Sequence, residues 1–282
     1  MGSRFGADSL SLQNPEETTE RLVRFLKTHI ERIGAKYLIV GISGGLDSSV
    51  TAALCSKAIG GQRVLGFCLP EIETTNQKTI RDAKDIANKF RVRLKVQDIT
   101  SLVIAARALV HSSNARNSVP LGNLKARLRA TILYYHANTA DGLVVGTSDK
   151  SELMLGYFTK YGDGASDIQP IADLYKTTVR DLAKHLGIPA RVYSKPSSPE
   201  LWPGQTAEDE LGLPYEKLDL ILWGLERWMT SQEISSDLKL PIQRVEKVRK
   251  RWLLSEHKRR MPLAMKLGFR TSSQDMRVPN NL

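Results

Sequence analysis

A short segment rich in glycine and serine interrupts the chain between an apolar run and a helical run. Residues 41–49 read Gly-Ile-Ser-Gly-Gly-Leu-Asp-Ser-Ser, directly after the apolar residues 37–40 and directly before the helical run 50–59. A strand, a glycine loop and a helix N-terminus in this order bring free backbone N–H groups and the positive end of the helix dipole to one point. The adjacent glycines allow close approach of the main chain, and the serines add hydroxyl donors. The segment therefore predicts a phosphate-binding loop.

One carboxylate, Asp47, lies inside this loop. A carboxylate repels a bound phosphate unless a divalent cation lies between the two groups, so Asp47 indicates Mg²⁺. The common nucleotide motifs G-x-x-x-x-G-K-[ST] and G-x-G-x-x-G are both absent from this segment. The alternative interpretation is a connection without a ligand, and the position between a strand and a helix disfavours it.

Short apolar runs alternate with helical segments through the first half of the chain. The predicted strands are residues 37–40, 64–69, 94–96 and 143–146. The predicted helices between them begin at Asn14-Pro15, at about Val50, at Thr75, at about Ile99 and at about Gly122, after a polar stretch at 111–120. This alternation predicts an α/β fold in which helices flank both faces of a parallel sheet, followed by a largely helical part beyond Tyr175. Because ligands bind outside the carboxyl ends of such strands, we expect Asp47 and Thr147 on one rim.

The composition is that of an ordinary globular chain. It has 282 residues, 41% of them hydrophobic, with no internal repeat and no clear linker. We therefore predict one domain over residues 1–282, with a short N-terminal extension at about 1–14 and a C-terminal tail at about 270–282 that is a candidate for flexibility. No stretch is long and apolar enough for a membrane span, and no signal region is visible. Cys55 and Cys68 lie in apolar surroundings that favour buried, reduced thiols, so we expect a cytoplasmic protein.

The formal net charge is +11, and many of the positive charges lie near the C-terminus. Residues 244–260 place Val245, Val248, Trp252 and Leu253 at helical spacing, with cations on the other faces. These cations indicate either the solvated face of an amphipathic helix or a surface for an anionic ligand.

Acidic side chains follow the fourth predicted strand. Glu152 is placed where a second carboxylate would join Asp47 in a Mg²⁺ site completed by phosphate oxygens and water, although an isolated acid of this kind is usually solvated. The glycine-containing loop at 158–167 carries an ammonium group, a phenol and two carboxylates. Loops with so many ionisable groups either extend into solvent or carry function.

Several of these blocks resemble a known family. Residues 43–48, Ser-Gly-Gly-Leu-Asp-Ser, resemble the signature of the ATP pyrophosphatases, among the adenine nucleotide alpha hydrolase-like proteins, which cleave ATP between the α- and β-phosphates. Further blocks in the same order, spread over roughly residues 16–267, resemble the NAD⁺ synthetases. These blocks are 122–129, Gly146-Thr147, Glu152, 160–164, Asp167, 174–176 and 256–259.

The resemblance implies a Rossmann-like ATP pyrophosphatase fold and a ligase that forms a carbon–nitrogen bond. ATP, deamido-NAD⁺ and ammonia would give NAD⁺, AMP and pyrophosphate through an adenylate. By motif position, the resemblance assigns ATP to Gly41, Ile42, Ser43, Gly44, Gly45, Leu46, Asp47, Ser48, Thr147, Lys176 and Ser198. It assigns Mg²⁺ to Asp47 and Glu152, and deamido-NAD⁺ to Arg127, Lys160, Asp167, His257 and Lys258. It gives catalytic roles to Asp47, Lys176 and Asp167, while the sequence does not separate Asp163 from Asp167, or Ser197 from Ser198.

The resemblance also implies the partners. Family members that use glutamine carry an added amidase domain, and no segment of this chain is long enough to be one, so ammonia, free or delivered by a separate protein, is the expected nitrogen donor. A homodimer with sites near the subunit interface is expected, without membrane or nucleic-acid partners.

Two other interpretations compete with this one. A tRNA-modifying pyrophosphatase would keep the loop and explain the positive charge, but paired thiols for sulfur transfer are lacking. Residues 231–251 superficially resemble a DNA-binding helix-turn-helix, although Trp252 and the nearby valines predict that its second helix is half buried.

Overall fold

The computed structural model describes residues 6–110, 118–271 and 275. Its centre is a parallel sheet with the strand order β3-β2-β1-β4. The strands are β1 (Tyr37–Gly41), β2 (Val64–Cys68), β3 (Arg93–Val96) and β4 (Gly142–Val145). The predicted α/β class is confirmed, and each predicted strand end lies within one residue of the observed end.

Helices connect and follow the strands. Those of the first part are α1 (Pro15–Ile33), α2 (Leu46–Ile59), α3 (Gln77–Lys89), α4 (Thr100–Leu109), α5 (Ser118–Thr139) and α6 (Lys150–Leu155). Those of the second part are α7 (Lys176–His185), α8 (Ala190–Tyr193), α9 (Ala207–Leu211), α10 (Tyr215–Glu226), α11 (Ser231–Leu238), α12 (Ile242–Leu254) and α13 (Glu256–Arg259). Short 3₁₀ turns lie at Ala7–Ser9 and Gly61–Arg63.

The sheet is covered on both faces because successive side chains of each strand point to opposite sides. Leu38 and Val40 of β1 belong to one hydrophobic core, formed with α1, α2, α3 and α7. Ile39, which lies between them, belongs to a second core, formed with α4 and α5. The near-continuous apolar sequence of β1 therefore reflects burial on two faces.

Several helix starts differ from the prediction. α2 begins at Leu46 instead of about Val50, because the extended Gly45 is its N-cap residue. α3 begins at Gln77 instead of Thr75, because the Asn76 side chain caps it by accepting from the Thr79 N–H. α5 begins at Ser118, ahead of the predicted start at about Gly122, since Pro120 is tolerated in a first helical turn. The rest of the predicted polar stretch, 111–117, lies outside the described residues.

Both ends of α1 agree with the sequence signals. Asn14 accepts a hydrogen bond from the Glu17 N–H, and Gly34 ends the helix with φ 73°. The N-terminal extension packs on the fold, since Leu10 is buried and its carbonyl accepts a bond from Thr178 Oγ1. Of the expected flexible tail at 270–282, residues 272–274 and 276–282 lie outside the described part.

The segment beyond Tyr175 is mostly helical, as predicted, and forms a third core around α6, α10, α11 and α12. Val245 and Val248 of α12 are buried in it, so the cationic helix is half buried, as its spacing indicates. Among the described helices, none combines the length and apolar character needed to cross a membrane.

Candidate active site

The glycine loop lies where β1 passes into α2. Its N-cap residue, Gly45, has no side chain that could cap α2, and the residues of the first turn line a cavity of about 490 Å³. Gly44 has φ +75°, and a Cβ at this position would lie 2.5 Å from the Thr79 carbonyl oxygen, so only glycine fits. The hydroxyl groups of Ser43 and Ser48 lie 3.1 Å apart within the loop. Uncapped N–H groups beside hydroxyl donors form an arrangement suited to phosphate oxygens.

The cavity collects most of the residues predicted for ATP. Its lining includes residues from the loop, from the segment after β4, from the 195–202 segment and from α13. Predicted residues in the lining are Gly41, Ile42, Ser43, Gly45, Leu46, Asp47, Ser48, Thr147, Glu152, Ser198 and Lys258. Ser197 lines it as well, so the choice between the two serines stays open.

Beneath this cavity, Lys176 at the start of α7 is fully buried among three carboxylates. Its Nζ lies 2.8 Å from an oxygen of each of Asp47, Asp149 and Glu152. Asp149 is also fully buried, whereas the side chains of Asp47 and Glu152 are 20% exposed toward the cavity. Three elements therefore converge here: the phosphate loop, the first turn of α6 and the first turn of α7.

Burial and mutual charge shift the pKa values of this cluster. Burial acts to lower the pKa of Lys176, but the three carboxylates outweigh it and hold that pKa well above its ordinary value. Burial raises the pKa of Glu152 well above its ordinary value, and Asp149 and Asp47 raise it further, against the opposing effect of Lys176. Burial, followed by the charge of Asp47, raises the pKa of Asp149 to about 6, again against Lys176. Lys176 therefore stays protonated, whereas Asp149 and Glu152 bind protons at a higher pH than ordinary carboxyl groups do.

The carboxylates fit a divalent cation. One oxygen from each of Asp47, Asp149 and Glu152 lies within 4.8 Å of the others. The buried Asp47 Oδ1 has no hydrogen-bond partner within the described chain. An all-oxygen donor set of this kind suits Mg²⁺, which binds through one or two carboxylates together with water and phosphate oxygens.

Asp149 is the member of this cluster that the sequence reasoning missed. It is the N-cap residue of α6, and its Oδ1 accepts a hydrogen bond from the Glu152 N–H at 2.8 Å. An aspartate three residues before a glutamate at a helix start, directly after a strand, was the available signal. Asp149 therefore fixes the first turn that carries Glu152 and also contacts the buried ammonium.

Of the residues predicted for deamido-NAD⁺, Lys258 lines the cavity, whereas Arg127, Lys160, Asp167 and His257 are not in its lining. Arg127 Nε donates to the Lys160 carbonyl at 3.3 Å, and Lys160 Nζ donates to the His257 carbonyl at 2.6 Å. Lys258 Nζ donates to the Gly156 carbonyl at 2.5 Å and lies 4.8 Å from the centre of the Phe158 ring. The basic α13 is thereby attached to the 158–167 loop and to the end of α6.

The two aspartates of the 158–167 loop occupy different places. Asp167 lies at the edge of β4, where its Oδ2 accepts from the Val144 N–H at 2.7 Å and its Oδ1 from Tyr134 at 3.2 Å. Asp163 lines the cavity and is exposed to its open volume, while its Oδ1 accepts a hydrogen bond from the Thr159 N–H at 2.8 Å. Partial loss of hydration beside the loop raises the pKa of Asp163. Of the two, only Asp163 lines the cavity that contains the phosphate loop.

The sequence reasoning also missed two cationic side chains within the block 122–129, those of Lys125 and Arg129. Lys125 Nζ lies 2.8 Å from Glu71, and both side chains are 2% exposed. One turn further along α5, Arg129 donates from Nε to the Leu69 carbonyl at 3.0 Å and lines the cavity. These contacts attach α5 to the end of β2, and Arg129 lines the same cavity as the glycine loop.

Comparison with known proteins agrees with this geometry. The sequence profile of the NAD synthase family matches residues 18–262. The NH(3)-dependent NAD(+) synthetase of Hyperthermus butylicus is 46% identical over 250 residues, which are 88% of this chain and 90% of that protein.

Solved structures give the same result. The NMN synthetase of Francisella tularensis has a TM-score of 0.78 at 31% identity and covers 89% of this chain and 98% of its own. The NH3-dependent NAD synthetase of Campylobacter jejuni has a TM-score of 0.75 at 28% identity and covers 90% of this chain and 100% of its own. Because the family profile matches residues 18–262, which are most of its length, the chain belongs to the NAD synthase family.

Proposed function

We propose that the protein is an ammonia-dependent NAD⁺ synthetase, which amidates deamido-NAD⁺ with ATP and releases AMP and pyrophosphate. The observation that carries this proposal is the Lys176 ammonium held 2.8 Å from Asp47 of the phosphate loop. In the reaction, a nicotinate carboxylate oxygen attacks the α-phosphorus and the bond to the bridging oxygen of pyrophosphate breaks. Ammonia then attacks the acyl carbon, AMP leaves with its oxygen, and one proton is lost from nitrogen.

The loop and the buried lysine serve the first step. The N–H groups of the first turn of α2, with Ser43 and Ser48, bind the phosphate oxygens that leave as pyrophosphate. Lys176 supplies a permanent positive charge, because the surrounding carboxylates keep it protonated. Asp47 and Glu152, with Asp149 behind them, would hold Mg²⁺, which neutralises charge on the phosphates when bound. Thr147 and Ser198 would complete the ATP site.

Side chains on the other walls serve the second substrate. Arg127, Lys160, His257 and Lys258 would bind the anionic dinucleotide, since Lys258 lines the cavity and hydrogen bonds join the other three to one another at the 158–167 loop. Asp163 would accept the proton lost by ammonium, because it lines the same cavity as the phosphate loop and its raised pKa suits a base. Asp167 would orient the nicotinate ring from the β4 edge.

A second candidate acceptor is the deamido form of NMN. It is favoured by the similarity to the Francisella tularensis NMN synthetase. Both acceptors undergo the same amidation at the same carboxylate and differ only in the adenylate half of the dinucleotide. The relative kcat/KM for the two acceptors therefore separates the candidates.

The testing experiment incubates the purified chain with ATP, Mg²⁺, ammonium and either deamido-NAD⁺ or deamido-NMN, and quantifies all products by chromatography. We expect stoichiometric NAD⁺, AMP and pyrophosphate, with a higher kcat/KM for deamido-NAD⁺. A preference for deamido-NMN would select the second candidate, and ADP in place of AMP would contradict both. Replacing ammonium by glutamine is the control for a hidden amidase.

We also propose the organisation in which this activity operates. The catalytic cluster takes Asp47 from the sheet region and Lys176 from the helical region, which supports a single domain. A homodimer with sites near the interface remains the expected assembly, and a mass measurement by light scattering tests it. The two cysteines are unpaired and buried, which supports work in the reducing cytoplasm.

A further inference from the structure

The start of α7, which carries Lys176, is held by side chains of two other helices. Its own N-cap residue, Tyr175, makes no capping hydrogen bond through its side chain. The Lys176 N–H donates to Ser151 Oγ of α6 at 2.9 Å, and the Thr177 N–H donates to Asp219 Oδ2 of α10 at 2.9 Å. Ser151 Oγ in turn donates to Asp219 Oδ1 at 2.5 Å. Asp219 therefore joins the starts of α6 and α7 through one carboxylate.

The carboxylate of Asp219 is fully buried although it lies outside the lining of the ligand cavity. Asp219 is 0% exposed, and Ser151 and Lys176 are equally buried. A carboxylate is costly to bury, and it is tolerated when its oxygens accept hydrogen bonds and a helix N-terminus faces it. An apolar side chain would leave the Thr177 N–H unpaired at the start of α7. The position thus requires an acceptor that reaches both helices.

The same face of α10 contacts the other end of the lysine. Tyr215 precedes Asp219 by one helical turn, and its ring centre lies 5.2 Å from Lys176 Nζ. Both side chains are fully buried. One face of α10 therefore contacts the backbone of Lys176 through the Asp219 network and its ammonium through an aromatic ring.

We propose that Asp219 is a positioning residue for the adenylation step, which it serves by fixing the start of α7 so that the Lys176 ammonium stays beside the phosphate loop. The inference rests on the proposed function, since adenylation is its first step. Ser151 directly precedes Glu152, so the same hydrogen bond also restrains the first turn that carries the second predicted Mg²⁺ ligand. Asp219 itself lies behind Lys176 and outside the cavity lining.

A matched control exists on the same helix. Glu216 of α10 forms an ion pair with Arg180 of α7, and its side chain is 56% exposed. Glu216→Gln removes a contact between the same two helices without touching Lys176 or its hydrogen bonds. If contacts between α10 and α7 served only stability, Glu216→Gln and Asp219→Asn would both lower the activity. If Asp219 positions Lys176, only the Asp219 variant lowers it.

The test measures exchange of labelled pyrophosphate into ATP with deamido-NAD⁺ and without ammonia, which isolates adenylation. Asp219→Asn keeps an acceptor for the Thr177 N–H but changes the hydrogen bond with Ser151 Oγ. For this variant we expect kcat of the exchange to fall about 10- to 100-fold, with KM for ATP near wild type. Glu216→Gln should stay within about twofold of wild type, as surface pairs contribute little. In a Lys176→Gln background, the same Asp219→Asn change should lower the rate by less than about threefold, because the group that it positions is already lost.

The outcomes separate the inference from the proposed function. A full additional loss in the Lys176→Gln background, or wild-type exchange by Asp219→Asn, overturns the positioning role while the enzyme assignment stands. No exchange by the wild-type protein with deamido-NAD⁺ overturns the proposed function and this inference with it. If Asp219→Asn does not fold, Ser151→Ala removes the link to the Lys176 N–H while leaving Asp219 in place, and unchanged kcat in that variant likewise refutes the inference.

Discussion

Replacing Lys176 by Met tests the charge arrangement of the site without relying on activity. Met has a similar length and keeps an apolar contact with the Tyr215 ring, but it removes the ammonium from three carboxylates. Removing one partner of a buried ion pair typically costs about 3–5 kcal/mol. We expect a loss of this size in the free energy of unfolding at pH 8 in metal-free buffer.

The loss should shrink as the pH falls. Lys176 opposes the rise in pKa of Asp149 and Glu152, so its removal raises both pKa values further. Between pH 8 and 6 the folded variant then binds protons that the unfolded chain, with ordinary carboxyl pKa values, does not bind, and stability rises as the pH falls. One carboxyl that is protonated throughout this interval in the variant but ionised in the wild type recovers about 1.4 kcal/mol per pH unit, or about 3 kcal/mol in total.

The assay is urea unfolding followed by tryptophan fluorescence at pH 6, 7 and 8 with a chelator, repeated with Mg²⁺. Mg²⁺ should stabilise Lys176→Met more than wild type, because a divalent cation replaces the missing charge. The control is Lys36→Met, whose 2.7 Å pair with Asp141 is more than half exposed on both sides and should contribute nothing measurable. A loss that is independent of pH, or one that grows toward pH 6, would refute the reasoning.

Four further predictions concern individual residues. Asp47→Asn should lower kcat at least about 100-fold with the fold intact, since a ligand that aids charge neutralisation is worth several kcal/mol; wild-type-like turnover at limiting Mg²⁺ would contradict it. Gly44→Ala should abolish ATP binding in calorimetry, because the loop has φ +75° at this position and no room for a Cβ, and retained affinity would show otherwise. Cys55 and Cys68 are buried, with pKa values raised by that burial, so changing both to Ala should leave ammonia-dependent activity largely intact; NAD⁺ formed from glutamine would reveal a missed amidase. Lys258→Ala should raise KM for deamido-NAD⁺ far more than KM for ATP, and steady-state kinetics with equal shifts would disprove this assignment.

The sheet could be predicted because its signals are local. Four apolar runs that alternate with helical segments are sufficient to indicate parallel strands with helices on both faces, and Asn14 and Gly34 mark both ends of α1. The starts of α2 and α5 were wrong for a physical reason. Gly45 is extended and begins α2 earlier than predicted, and α5 contains Pro120 in its first turn. Glycine and proline indicate a loop in the sequence, but here the residues next to them are helical because the helix starts pack on the fold.

The cluster around Lys176 was only partly predictable because its contacts are long-range. Asp47 and Lys176 are separated by 129 positions. Asp47 was predicted from its place in the glycine loop, whereas Lys176 was predicted only from the resemblance to a family. Asp149 carried a local signal, since it caps the helix of Glu152, but nothing local shows that it touches the lysine. Asp219 lies 42 positions from Thr177, and that contact arises only when α10 packs across α7. Such residues are found from packing, whereas the glycine loop is found from its own sequence.

The charges around Lys176 give a reason for the buried carboxylate of Asp149, which lies where the substrate does not reach. Three ionised carboxylates around one ammonium leave an excess of two negative charges, which matches one divalent cation. Without that cation, the raised pKa values of Asp149 and Glu152 relieve part of the excess, because each proton that binds removes one negative charge. With it, the carboxylates would ionise, and the cation and the ammonium would together face the phosphates of the proposed ATP site. When it is ionised, Asp149 helps to keep Lys176 protonated, and the cation would let the neighbouring loop bind an anion although a carboxylate lies within it.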